Sequence, residues 1–324
     1  MRLSDAFREG FTVINRNWQL IAIQVIAIII TLIGFIFVVI LPVIIAIFVL
    51  GVDLTLFTNI EAMPDSFSEF VTKYFLLFVV ASAFFLVYLL LVTVVTIFLF
   101  GASSGIIAES VKNSEEKFSL RRFFAEGKRL FFPMVRYLTA AGFILLLLAL
   151  VIALIFIGLF ALYDSVKSMH MPVGLFIGLF LVLSIIAVTL FLVTASLAAF
   201  FYGTAILIFR AKTALASLKE AALFLYHKQN AYWLYCLLFG GSILLSLLIM
   251  LAGIPLGALP VIGPFFSIPY QIFSVIIQTY FSFFITASLF TYYYHVAVSI
   301  GTPSTPVTHT SLPEPPRPDD APQG

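Results

Sequence analysis

Charge is the scarcest commodity in this sequence. Only 10% of its 324 residues are Asp, Glu, Lys or Arg, while 62% are hydrophobic; soluble domains run near one quarter charged and half apolar. No charged residue stands between Asn17 and Val52, between Tyr74 and Ala108, between Tyr137 and Tyr163, or between Met171 and Phe209. Ionisable side chains inside a membrane mark proton relays and ion paths, so their absence argues against a proton-coupled pump or an ion-selective channel. The single cysteine, Cys236, excludes an intrachain disulfide and a cysteine-ligated metal, and it reads as a small buried hydrophobe. The four histidines, His170, His227, His295 and His309, stand apart, with no HExxH or HxH spacing and no paired carboxylates, so zinc hydrolysis lacks its ligands. No glycine-rich phosphate loop occurs. Neither an enzyme nor a bound cofactor is expected. A net charge of +2 gives nucleic-acid binding no electrostatic support. The opening MRLSDAFREG has no apolar stretch behind a basic start, so no cleaved signal peptide is expected.

What is present is a series of apolar runs long enough to cross about 30 Å of hydrocarbon. Six spans are expected, in an all-α integral membrane domain over residues 1–300, followed by a disordered Pro-rich cytoplasmic tail at 301–324. Runs 17–52 and 73–108 exceed one span. Each fits either a single long helix, the first kinked near Gly34 or Pro42, or a short hairpin. Asp53, Glu61, Asp65 and Glu69 form an acidic loop, and Asp164, Lys167 and His170 a shorter polar one. Ile254–Pro269 holds four prolines and two glycines without charge, which excludes a regular helix and leaves a surface loop or a re-entrant one.

The charge that exists is concentrated. Phe118–Pro133, FSLRRFFAEGKRLFFP, places Arg121, Arg122, Lys128 and Arg129 among seven Phe and Leu residues, the pattern of a helix lying in a bilayer surface with cations up. Residues 3–17 form a second amphipathic helix, with Leu3, Phe7, Phe11 and Ile14 on one face and Ser4 as N-cap. Arg210–Asn230 holds a third, with Leu215, Leu218, Ala222 and Leu225 on one face. Tyr232, Trp233 and Tyr235, and Tyr292, Tyr293, Tyr294 and His295, read as interfacial belts. With six spans, every Lys and Arg except Lys73 and Lys167 falls on one side. The positive-inside rule makes that side cytoplasmic, with both termini inside and the protein in the bacterial inner membrane.

The three basic segments are related. Leu3, Phe7, Glu9 and Gly10 superpose on Leu120, Phe124, Glu126 and Gly127 at an offset of 117, and Glu220 falls under Glu9 at an offset of 211. Each segment leads into two spans. The expected architecture is therefore three parallel repeats of interfacial helix plus transmembrane hairpin, about 1–108, 118–208 and 213–298.

Candidate functional residues are few. Arg121, Arg122, Lys128 and Arg129 are the candidates for contact with lipid headgroups of an anionic leaflet. Gln24 and Gln278, the most polar residues within spans, suit interhelical hydrogen bonds or the lining of a lipid-sized cavity. Gly101-Ala-Ser-Ser-Gly105 reads as GxSxG, but small residues four apart are better explained by helix packing.

At Leu3–Arg16, Phe118–Pro133 and Thr213–Asn230, each followed by a hairpin, the chain resembles the YciC-like bacterial six-span proteins. These are similar to the membrane domain fused to some glycerophosphodiester phosphodiesterases. The phosphodiesterase barrel has no counterpart here, so the resemblance implies a non-enzymatic membrane domain that organises lipid or a partner protein in envelope homeostasis. A transporter or flippase-like conduit for an apolar or amphiphilic substrate is the alternative, with Ile254–Pro269 as its outer gate.

Overall fold

A computed structural model describes residues 1–49, 75–113, 115, 118–166, 171–257 and 263–298. The acidic loop at 53–69, the loop residues 167–170 and the tail at 301–324 lie outside them. The described residues form helices and their connections, without a strand. In chain order these are α1 (Leu3–Arg16), α2 (Gln19–Phe35), α3 (Phe75–Lys112), α4 (Leu120–Val166), α5 (Met171–Arg210), α6 (Ala214–His227), α7 (Gln229–Gly257) and α8 (Gly263–Tyr293). α2 continues through a π-helical turn, Ile36–Ile40, into Leu41–Val49, and α8 ends in another, Tyr294–Val298. Six of the helices, α2 to α5, α7 and α8, are long and apolar enough to cross a membrane. This is a multi-pass membrane protein.

Both overlong runs are single helices. In α2 the Leu41 N–H reaches back five residues to Ile36 O, just ahead of Pro42. Pro42 has no N–H to give Val38, and the wider turn absorbs that defect without breaking the span. α3 runs unbroken for 38 residues. Two expectations need correction. Phe118–Pro133 is not a separate surface helix: α4 runs through Pro133 for 47 residues, roughly 70 Å at 1.5 Å per residue. Leu130 and Met134, either side of the proline, both meet Gly101 of α3, which holds the two parts in one helix. Ile254–Pro269 is also largely helical: α7 includes Pro255 and α8 includes Pro269, leaving 258–262 outside the described residues. Membrane helices tolerate proline where neighbours satisfy the freed carbonyls, so composition alone overstated the irregularity.

Burial is concentrated at one end. The C-terminal turns of α3, α5 and α8 meet the first turns of α2, α4 and α7, and α1 and α6 pack among them. The largest enclosed side chains include Phe123, Tyr137, Tyr202, Tyr235, Phe290 and Tyr293. Away from this hub the spans expose Phe, Leu, Ile and Val on most sides. Lipid is as apolar as leucine, so such faces need no protein cover, and close contact arises where small residues permit it. Gly101 and Gly105 are the example: a Cβ on Gly105 would lie 2.6 Å from Glu126 Oε2 and 2.9 Å from Leu130 Cδ1. Ser103 and Ser104 are buried in the hub, in keeping with packing at the GxSxG sequence.

Each basic segment leans on a span from another part of the chain. α1 packs chiefly on α8, the first turns of α4 on the end of α3, and α6 on α5.

Candidate functional site

The hub end is where the basic side chains of the described residues collect. Every described Lys and Arg belongs to α1 or its N-cap, α6, the last turns of α3 and α5, the first five turns of α4, or a connection between them.

On α4, Phe123, Gly127, Leu130 and Met134 recur at four, three and four residues and turn into the hub. That places Arg121, Arg122, Lys128 and Arg129 on the exposed side, beside exposed Leu120, Phe124 and Phe132. Arg129 donates to Glu126 Oε2 at 2.6 Å. The expected grouping of cations among aromatics is therefore present on one helix surface. Gln24 is half-buried on α2 and Gln278 exposed on α8. These spans pack together, but neither glutamine is among the residues lining the crevices described below.

The face of α1 is rotated from the expected one. Ala6, Gly10, Val13 and Ile14 are buried, whereas Phe11 is 52% exposed and packs edge-on against Tyr280 and Phe284. Small residues give closer approach than large ones, and hydropathy undercounts them. Ser4 is not the cap: Arg2 holds that position and its N–H donates to Asp5 Oδ2 at 3.0 Å. Tyr235, Tyr292 and Tyr293 are not belt residues either. They are buried in the hub, Tyr235 stacking on Phe239 with ring centroids 5.5 Å apart, while Trp233 is exposed as expected. Cys236 is half-buried rather than enclosed.

Three polar links were not foreseen. Arg210, ending α5, donates to Glu220 of α6 and, at 2.8 Å, to Ala297 O beyond α8; it lies over the Tyr293 ring. Lys212 also donates to Glu220. Between them Ala211 takes a positive φ of 49°, the left-handed turn that sends the chain back along α5. Asn17, fully buried, donates to Val13 O at 2.8 Å and Ser110 Oγ at 3.0 Å. Glu9 Oε2 lies 3.0 Å from His295 Nε2. Of the superposed Glu9, Glu126 and Glu220, Glu126 takes the helical-spacing partner Arg129, three residues on, whereas the partners of Glu9 and Glu220 are distant in sequence or off helical spacing.

Two apolar crevices open beside the hub. One, of about 1210 Å³, lies between α4, α5, α6 and the start of α7. The other, of about 450 Å³, lies between α2 and α3 and ends at Phe123 and Phe124. A smaller recess of about 350 Å³ is polar, with Asp5, Arg8, Glu9, Thr12 and Arg16 along α1. No group of three or more His, Cys, Asp or Glu side chains among the described residues is placed to hold a metal. No protein-family model, curated protein or solved structure matches this chain.

Proposed function

We propose that this protein is a non-enzymatic lipid-organising scaffold, seated in a cell membrane with its hub at the cytoplasmic, anionic leaflet and both termini on that side. One observation carries the reading: every described cation lies at the end where the spans converge, and the described spans away from it expose mainly Phe, Leu, Ile and Val. Each Lys or Arg near an anionic surface contributes on the order of 1 kcal/mol, so the exposed Arg121, Arg122, Lys128 and Arg129 form a strong headgroup contact. A filled hub favours a scaffold over a conduit, because bulky Tyr and Phe side chains occupy the convergence of the spans.

The same proposal includes a threefold internal repeat and the resemblance to the YciC-like proteins. Its support is the shared docking relation: each basic segment packs on the last span of another unit, α1 on α8, α4 on α3 and α6 on α5. The superposed Gly10, Gly127 and Ala221 are all buried, Gly10 against Ser288 of α8 and Gly127 against Phe98 of α3.

The test replaces Arg121, Arg122, Lys128 and Arg129 together by Gln and measures anionic lipid retained through purification and the preference for phosphatidylglycerol over phosphatidylcholine vesicles. Both should fall sharply. Unchanged retention and preference would remove the basis of the scaffold reading.

A further inference from the structure

α6 has two apolar faces, and the hub uses one of them. Ser217 and Ala221 turn inward and are fully buried. Leu215, Leu218, Ala222 and Leu225, at spacings of three and four, form a separate stripe that faces the 1210 Å³ crevice. Across it stand Phe191, Leu192, Ala195 and Ala199 of α5. From Ala199 to Phe191 the wall runs about 12 Å along the helix, away from the hub and towards the middle of the span.

The polar groups of this crevice are distributed unequally. Two hydroxyls of the lining are already engaged: Ser196 donates to Leu192 O at 2.7 Å, and Tyr232 shares a hydrogen bond with Thr194, outside the lining, at 2.8 Å. They ask nothing of an occupant. At the hub end, Lys219, Tyr226 and Gln229 line the mouth. Lys219 is the one charge in the lining, and the lining holds no acid. Its neighbour Glu220 is already held by Arg210 and Lys212. An occupant complementary to these walls is apolar over most of its length and anionic at one end.

We propose that this crevice is a binding site for a single anionic phospholipid, with its phosphate at Lys219 and an acyl chain laid against Phe191, Leu192 and Ala195. The inference rests on the lipid-organising reading, and it identifies a discrete site apart from the exposed cations of α4.

Trp233 lines the same crevice, and the chain has one other tryptophan, Trp18. In a Trp18→Phe background, Trp233 fluorescence reports on the crevice. The protein is reconstituted in phosphatidylcholine vesicles containing a minor fraction of brominated phosphatidylglycerol or of brominated phosphatidylcholine. The brominated anionic lipid should quench at about fivefold lower mole fraction, the effect of one near-surface cation. Lys219→Gln should abolish that difference and Lys219→Arg retain it, while Ala195→Phe should lower quenching by either lipid. Equal quenching by both lipids in the Lys219 protein overturns the site, and so does a preference that survives Lys219→Gln. Failure here leaves the broader reading standing if total anionic lipid still depends on the four α4 cations; loss of that dependence removes the broader reading instead.

Discussion

Gly10 of α1 rests directly on the backbone of Ser288 in α8. A Cβ at Gly10 would lie 2.3 Å from Ser288 Oγ and 2.9 Å from both Ser288 Cα and N. The seryl oxygen could rotate away, but the backbone atoms could not, so Gly10→Ala must push α1 off the last span. Overpacking of this kind costs about 1–3 kcal/mol. Gly34, in the exposed part of α2, has nothing within 4 Å of its Cβ position, and Gly34→Ala should be close to neutral. Thermal unfolding in detergent compares the two. Adding Ser288→Gly to Gly10→Ala should recover part of the loss, because the oxygen goes but the backbone stays.

Arg210 ties three elements together through one guanidinium, binding Glu220 on α6 and Ala297 O beyond α8. Its side chain is 36% exposed and that of Glu220 22%, so solvent screens much of the ion pair. A double-mutant cycle of Arg210→Ala with Glu220→Ala should give a coupling of roughly 0.5–1 kcal/mol. Arg210→Lys should lose stability despite keeping the charge, because an ammonium lacks the fork that reaches two acceptors at once. Equal stability of the Lys variant and the parent would remove the carbonyl contact from this account.

The spans were legible in the sequence because lipid enforces a simple rule: a long run without charge must cross. The faces were less so. Phe11 carries more hydropathy than Ala6 or Gly10, yet the small residues are buried, since helix contact at the hub depends on close approach rather than apolar area. Tyr235 and Tyr293 sit beside charged segments and therefore read as an interfacial belt. At this end, however, protein takes the place of the interface and encloses them. Leu215, Leu218, Ala222 and Leu225 were grouped correctly on one face, but the crevice they look into depends on α4 and α5, which no local pattern reveals. Glu220 finds Arg210 ten residues upstream across a turn, outside any helical spacing.

The proposed orientation makes a direct prediction. In a Cys236→Ala background, Thr213→Cys at the hub end and Ser165→Cys in the last turn of α4 lie at opposite ends of the spans. A membrane-impermeant maleimide applied to intact spheroplasts should label Ser165→Cys and reach Thr213→Cys only after permeabilisation. The reverse pattern would turn the basic end outwards and defeat the positive-inside argument.

Tyr137 shows how little slack the hub contains. Its hydroxyl donates to Phe200 O at 2.6 Å, and the same carbonyl accepts from Thr204 Oγ1 at 3.0 Å. Tyr137→Phe therefore leaves the carbonyl satisfied and removes one neutral hydrogen bond, a loss of about 0.5–1.5 kcal/mol. Gly203 faces the same hydroxyl: a Cβ there would stand 2.4 Å from Tyr137 Oη but 3.2 Å from Cζ. Gly203→Ala alone should thus be the more damaging change, about 1–3 kcal/mol, because the oxygen must move and its hydrogen bond goes with it. Once the oxygen is absent, the added methyl meets only a tight ring contact. Gly203→Ala should then cost markedly less in the Tyr137→Phe background than in the parent, and the two losses should fall well short of their sum. Additive losses in detergent unfolding would mean that the hub relaxes around position 203 by another route, and that the fit of Tyr137 against Gly203 does not set the spacing of α4 and α5.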